Sequence, residues 1–220
     1  MSEILNQHLQ QTLKKSRVKA TQAAGCPEIS LYLFDPDVLE GPISHDEAQA
    51  VFSEPAYWSF CWASGQVLAQ YIMNHPEHVK GKTVVDFGSG SGIVAIAASL
   101  CGAKSVFACD IDTKALDACS INASLNKVDI KCISDIAVIK EDIDLMLAAD
   151  VLYDKDNYPL LDFFLSKASQ VLLADSRVKV LPSDNYQQID SIEARTWPDL
   201  NEFEEFNQVR IFLSKSAQRR

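Results

Sequence analysis

The 220-residue chain has no apolar run approaching the roughly 20 residues that a membrane helix needs. Residues 1–22 have no apolar core of about 7–15 residues, so they do not form a secretory signal. They carry Lys14, Lys15, Arg17 and Lys19 against the single acid Glu3. A mitochondrial presequence therefore stands beside a simpler reading, a surface helix with Leu5, Leu9 and Leu13 on one face. The six cysteines, at 26, 61, 101, 109, 119 and 132, include no C-x-x-C pair and no zinc spacing with histidine. Most lie inside apolar runs and read as buried thiols in a reducing compartment. His75 and His78 flank a Pro-Glu pair with no further Cys or His nearby, so no metal site is expected. Basic excess is absent too. The net charge of −10 argues against nucleic acid as a partner and fits a basic or lysine-bearing one. The expectation is a cytoplasmic monomer with no membrane and no nucleic-acid partner. No repeat or low-complexity segment interrupts the chain.

What is present is ordinary for a globular protein, with 47% hydrophobic and 23% charged residues. One domain is the default at this length, with room for an extension. Residues 1–50 form a mixed N-terminal segment with a helix, an extended stretch at 29–34 and acid-rich turns. Residues 51–220 carry a regular alternation. Strands are expected at 82–87, 105–110, 130–134, 144–150 and 171–175. Helices are expected from Ser64, a possible cap, to His75, then at 93–102, 112–128 with Asp112 as cap, and 158–170. Residues 189–197 and 207–215 read as a closing antiparallel pair. Apolar strands alternating with helices imply an α/β fold with a mostly parallel sheet covered on both faces.

Between the first strand and its helix stands "VVDFGSGSG", Val84 to Gly92. Glycines admit positive φ and close approach of a ligand, and the next helix brings free N–H groups to the same place. A dinucleotide site would read G-x-G-x-x-G, whereas here position 93 is Ile, after Gly88, Gly90 and Gly92. Asp86 would repel a pyrophosphate but can help hold an amino-acid ammonium. Asp110, 24 residues later at the end of the second strand, is placed to accept ribose hydroxyls. Asp135, after the third strand, can bind an adenine amino group, or it is a solvated loop acid. A ligand with an amino-acid end and a ribose end is S-adenosylmethionine. The bland alternative is a tight strand–helix turn and nothing more.

Two stretches, "YWSFCWASGQVLAQYIMNHPEHVKGKTVVDFGSGSG" and "DLMLAADVLYDKD", resemble the class I, seven-β-strand methyltransferases. Within that class they are similar to the lysine methyltransferases that act on the β subunit of electron transfer flavoprotein, as is "PEISLYLF". The resemblance spans roughly residues 50–215. It implies a Rossmann-like methyltransferase fold with sheet order 3-2-1-4-5-7-6 and an N-terminal helical extension over the cofactor and substrate side. It also implies a cofactor set of Trp62, Asp86, Gly88, Ser89, Gly90, Gly92, Asp110, Ile111, Asp135, Ile136 and Asp150. The family's D-x-x-Y motif falls on Asp150-Val151-Leu152-Tyr153, which gives Asp150 and Tyr153 as the catalytic pair.

The absence of proline after Asp150 suits an amine better than a planar base or amide nitrogen, whose methyltransferases carry Asn/Asp-Pro-Pro-aromatic there. A lysine ammonium must lose a proton before it attacks, and Asp150 can orient it while Tyr153 walls the channel. The alternatives are a helix cap for Asp150, a packing aromatic for Tyr153, and core positions for Trp58 and Trp62. Tyr57 and Phe60 read as packing residues. Two departures weaken the substrate assignment. The family's Pro-Gly pair after the tryptophan is Ala63-Ser64 here, and its Asp-Pro-Gly-Arg is Asp175-Ser176-Arg177. Residues 178–188 are also short for the usual helix. The expected activity is methylation of a protein lysine. The alternatives are a small-molecule or protein N-terminal amine methyltransferase, a non-catalytic cofactor-binding interaction protein and, disfavoured by the glycine spacing, an NAD-dependent oxidoreductase.

Overall fold

Strand β3, Thr83–Phe87, is apolar on both faces except for its acid, and the fold is built outward from it. A computed structural model describes residues 2–38, 44–200 and 202–215. Ahead of β3 come α1 (Ser2–Gln10), a hairpin of β1 (Val18–Ala23) and β2 (Cys26–Phe34), α2 (His45–Ser53) and α3 (Ala63–Asn74). After it follow α4 (Ile93–Leu100), β4 (Ser105–Cys109), α5 (Thr113–Leu125), β5 (Lys131–Ile133) and β6 (Ile143–Ala149). The chain continues through α6 (Leu160–Lys167), β7 (Ala168–Asp175), β8 (Tyr186–Glu193) and β9 (Gln208–Ser214).

The large sheet has the order β5-β4-β3-β6-β7-β9-β8. Counted from β3, this is the expected 3-2-1-4-5-7-6. The first five strands run parallel, and β9 lies antiparallel to both neighbours. Successive residues of a strand point to opposite faces, so each strand feeds two cores. Val84, Leu145, Leu147 and Leu172 pack under α3 and α4. Val85, Met146, Val171 and Leu173 pack under α6 and the segment after β7, with Leu161, Phe164, Val178 and Tyr186. The Tyr186 hydroxyl donates to the Leu161 carbonyl at 2.7 Å and closes that side. Helices cover both faces, as expected, but unequally. The 3₁₀ turn Ile136–Val138 is the only helical stretch between β5 and β6, and none stands between β7 and β8.

A third layer comes from the N-terminal segment. Leu5, Leu9, Val18 and Trp58 bury against Ala115, Ala118 and Ile121 of α5. Leu13, past the end of α1, is buried as well. Asn122 on α5 and Asn126, which caps its C-terminus, accept the N–H groups of Tyr32 and Ser30 at 2.8 and 2.9 Å. The extension therefore carries a hairpin as well as helices, and α2 runs across position 50. Part of the segment expected to end there, residues 39–43, lies outside the described residues. No helix among the described residues is long and apolar enough to cross a membrane.

Several element limits differ from the expected ones. Helix α6 ends at Lys167, not 170, because residues 168–170 join β7, where Ala168 and Gln170 pair with Ile143 and Leu145 of β6. Strand β8 begins at Tyr186 and ends at Glu193, so 194–197 leave the sheet, and Trp197 bridges to Cys61 through N–H···O bonds of 2.7 and 2.9 Å. Ser64 is not the cap of α3. Trp62 holds that position, and Ser64 is the helix's second residue.

Candidate active site

At the carboxyl end of β3 the chain turns through Gly88, Gly90 and Gly92, with φ of 71°, 50° and 82°. Gly92 is also forced by packing, since a Cβ there would stand 2.6 Å from Cys119 Sγ. Gly90 differs, because a Cβ there would meet nothing within 4 Å. Its outer side faces open space, and the neighbouring Ser89 hydroxyl is buried without a hydrogen-bond partner among the described residues. A buried hydroxyl without a partner beside an open glycine is suited to bonding a polar ligand. The residues present thus fit a ligand with a polar amino-acid end.

Asp86 is 2% exposed, and its Oδ2 accepts the Ala95 N–H in the first turn of α4 at 3.0 Å. The expectation that the α4 amides face the ligand is altered at Ala95, whose N–H this carboxyl takes. Burial pushes the Asp86 carboxyl up to about 7, the Ala95 N–H opposes that rise, and the Asp110 charge adds to it. Asp110 Oδ2 accepts the Gly90 N–H at 2.9 Å, while Oδ1 accepts the Asp112 N–H at 3.0 Å. Each oxygen retains further lone-pair capacity for a hydroxyl donor. Ile111 beside it is 92% exposed. Asp112 caps α5 through the Lys114 N–H, as expected. Asp135 accepts the Ala137 N–H at 2.9 Å and opens the 3₁₀ turn that begins with Ile136.

Asp150 stands one residue beyond β6, with φ of 53°, a left-handed conformation that a non-glycine residue adopts at a cost. Its N–H donates to the Ala174 carbonyl at 3.1 Å. Its Oδ1 accepts three donors, the Ser64 hydroxyl at 2.6 Å, the Ser176 hydroxyl at 2.9 Å and the Ser176 N–H at 3.2 Å. Its Oδ2 has one long contact, 3.4 Å from the Ser64 N–H at the start of α3. Asp150 is therefore not the cap of a following helix. Tyr153 is 66% exposed, which excludes the packing role.

Asp175 ends β7 nearby, 1% exposed, with Oδ1 accepting the Arg177 and Val178 N–H groups at 2.8 and 2.7 Å. Its Oδ2 has no hydrogen-bond partner among the described residues. Burial first, then the Asp150 charge, pushes this carboxyl up to about 6. Sequence reasoning missed Ser64, Asp175 and Ser176 as members of this cluster. The available signal was that all three sit where the chain departs from, or borders a departure from, the family pattern.

Trp62 is half-buried, its Nε1–H donates to the Tyr57 carbonyl at 2.9 Å, and its ring lies 5.7 and 5.9 Å from those of Tyr57 and Phe60. Trp58 is core. Phe60 packs on Phe34, as read, while Tyr57 is exposed instead of packed inside. A cleft of about 690 Å³ lies elsewhere, among the starts of β6 and β7, with Ile136, Glu141, Asp144 and Lys167 on its walls. Of the expected site residues it takes only Ile136. Ligands of such sheets sit at the carboxyl ends of the strands, so this cleft is at the wrong end for the cofactor.

The family model described as ribosomal protein L11 methyltransferase (PrmA) matches residues 66–154. The electron transfer flavoprotein beta subunit lysine methyltransferase of Danio rerio is 41% identical over 135 residues, which make up 59% of this chain and 50% of that protein. A homolog of that enzyme in Caenorhabditis elegans is 30% identical over 184 residues, 74% of each chain. Among solved structures, ribosomal protein L11 methylase from Lactobacillus delbrueckii subsp. bulgaricus shares 29% identity at a TM-score of 0.52, over 70% of this chain and 78% of that one. The chain spans about half the length of the first curated relatives it matches.

Proposed function

Because this chain belongs to the family of the electron transfer flavoprotein β-subunit lysine methyltransferases, within the class I S-adenosylmethionine-dependent methyltransferases, we propose that it methylates a lysine side chain of a protein. The β subunit of electron transfer flavoprotein is the first candidate substrate. The observation that carries this reading is Asp150, held by two serines at the carboxyl end of β6 with the exposed Tyr153 three residues on.

When bound, S-adenosylmethionine supplies a methyl group on a positively charged sulfur. The chain's own residues do the rest. The Ser89 hydroxyl and the open side of Gly90 would receive the amino-acid end, and the buried Asp86 carboxyl would balance its ammonium. Asp110 would accept the ribose hydroxyls. Ile111, Asp135 and Ile136 would hold the adenine, and Trp62 would close the substrate side.

An incoming lysine carries a proton, with an ordinary pKa of about 10.4. Asp150 Oδ2, the less engaged oxygen, accepts an N–H of that ammonium and points its nitrogen inward. The proton leaves along this contact to solvent water as the lone pair turns toward the methyl. The Tyr153 hydroxyl takes a second N–H. Catalysis of this kind is mostly positioning, since no bond to the protein forms.

The test is transfer of labelled methyl to unmodified electron transfer flavoprotein β subunit, to ribosomal protein L11 and to free amines. Label on a lysine of the flavoprotein subunit is expected. The match to the L11 methyltransferase model makes L11 the second candidate. Label confined to free amines would replace the protein-lysine reading with a small-molecule one.

A further inference from the structure

We propose that Ser64 and Ser176 are positioning residues for methyl transfer, holding the Asp150 carboxylate by Oδ1 so that Oδ2 alone meets the substrate. The proposal rests on the lysine-methyltransferase reading above and adds two residues to it.

Ser64 and Ser176 come from different parts of the fold, the first turn of α3 and the exit of β7. Ser64 is 0% and Ser176 6% exposed, so neither hydroxyl is a solvated surface group. A buried hydroxyl needs a partner, and both donate to the same carboxylate oxygen, at 2.6 and 2.9 Å. With the Ser176 N–H at 3.2 Å, Oδ1 holds three donors. A carboxylate oxygen has about two lone-pair sites, so Oδ1 has no room for a substrate N–H. Oδ2 does.

The clamp also acts on a residue at a bend in the chain. Asp150 has a left-handed backbone, and its side chain lies beyond the last paired residue of β6. Two hydroxyls approaching from α3 and from the β7 turn fix the plane of the carboxylate. Asp175 holds the second of these supports. Its Oδ1 takes the Arg177 and Val178 N–H groups and so shapes the turn that presents Ser176. The two departures from the family pattern, Ala63-Ser64 and Asp175-Ser176-Arg177, thus meet at one oxygen. Neither proline nor glycine at these positions could donate a hydroxyl.

The experiment compares Ser64→Ala, Ser176→Ala, the double variant and Ser176→Thr with wild type, using labelled-methyl transfer to whichever protein the wild type labels. Calorimetric cofactor affinity and melting temperature are measured in parallel. Each alanine variant is expected to lose about tenfold in kcat, and the double variant about a hundredfold, the range a misplaced group costs. KM and cofactor affinity should stay within about twofold, and Ser176→Thr should keep most of the rate. In an Asp150→Asn background, where the carboxylate is gone, Ser64→Ala should cost no more than about twofold. Alanine variants that turn over at the wild-type rate would overturn the proposal and leave the lysine reading intact. So would losses that follow melting temperature and that threonine does not restore. A wild type that labels no protein would overturn the lysine reading, and the proposal with it.

Discussion

Asp110 at the end of β4 grips Gly90 at the crest of the glycine turn, Oδ2 accepting the glycine N–H at 2.9 Å. The acid expected to receive the ribose is thus already part of the turn that faces the amino-acid end of the same ligand. The two halves of the proposed cofactor site are thus joined by a hydrogen bond within the chain itself.

Asp110→Ala should therefore weaken S-adenosylmethionine binding at least about tenfold, since hydrogen bonds to a charged group contribute about 1.5–3 kcal/mol each. Calorimetry measures it. The same variant should speed hydrogen exchange at the Gly90 amide in the ligand-free protein. Unchanged affinity would remove Asp110 from the site.

Asp150→Asn keeps the size of the side chain and a backbone type that tolerates φ of 53°. It loses the charge that draws in an ammonium. Turnover should fall by about 10²–10⁴-fold, the usual contribution of an acid–base or orienting group. Cofactor affinity, measured alongside labelled-methyl transfer, should hold. A collapse of affinity would leave Asp150 with its cofactor role alone, and a wild-type rate would end its catalytic assignment.

Gly92→Ala would place a methyl 2.6 Å from Cys119 Sγ and 3.1 Å from Cys119 Cα, at φ of 82°. A loss of about 2–4 kcal/mol is expected from the clash and the backbone strain together, read by chemical denaturation. Gly90→Ala keeps only the strain, because nothing stands within 4 Å, and should cost about 1 kcal/mol in stability. Its larger effect should fall on cofactor binding. Equal stability losses for the two variants would contradict the packing described for Gly92.

Asp86 and Asp175 have carboxyls raised from 3.8 to about 7 and about 6, chiefly by burial. A raised acid holds its proton more tightly in the folded chain than in the unfolded one. Its stabilising effect is complete below the ordinary value and is lost as pH rises through the folded value. The ligand-free protein should thus melt lower at pH 8 than at pH 5, by at least about 5 °C. His78, whose pKa is lowered by burial, works in the opposite sense up to its ordinary value of 6.5. Asp86→Asn should flatten the slope between pH 6 and 8, and bound S-adenosylmethionine should reduce it in the wild type. A melting temperature independent of pH over this range would contradict the burial of these acids.

The regular part of this architecture was legible because strands covered on both faces are mostly apolar, as in Thr83–Phe87 and Ile143–Ala149, each with a single acid. Strand β1, "VKATQA", escaped notice. Among the described residues it pairs with β2 alone, and most of its side chains are not buried, so no apolar pattern marks it. The acids at strand ends were legible for a similar reason, since a charge closing an apolar run needs a purpose. Their partners were not. Ser64 near the start of a helix reads as a local cap, yet its hydroxyl crosses 86 positions of sequence to Asp150. Cys119 beneath Gly92 and Ala95 on Asp86 are likewise contacts that exist only after the layers close.

The left-handed backbone at position 150 narrows what mutation can try there. Glycine keeps the bend but carries no acid, asparagine keeps the bend and the shape, and longer or branched side chains crowd their own carbonyl. The alphabet at that position has about three usable letters. Adaptation to a new substrate has to be written instead in side chains free to change, such as the exposed Tyr57 and Trp197.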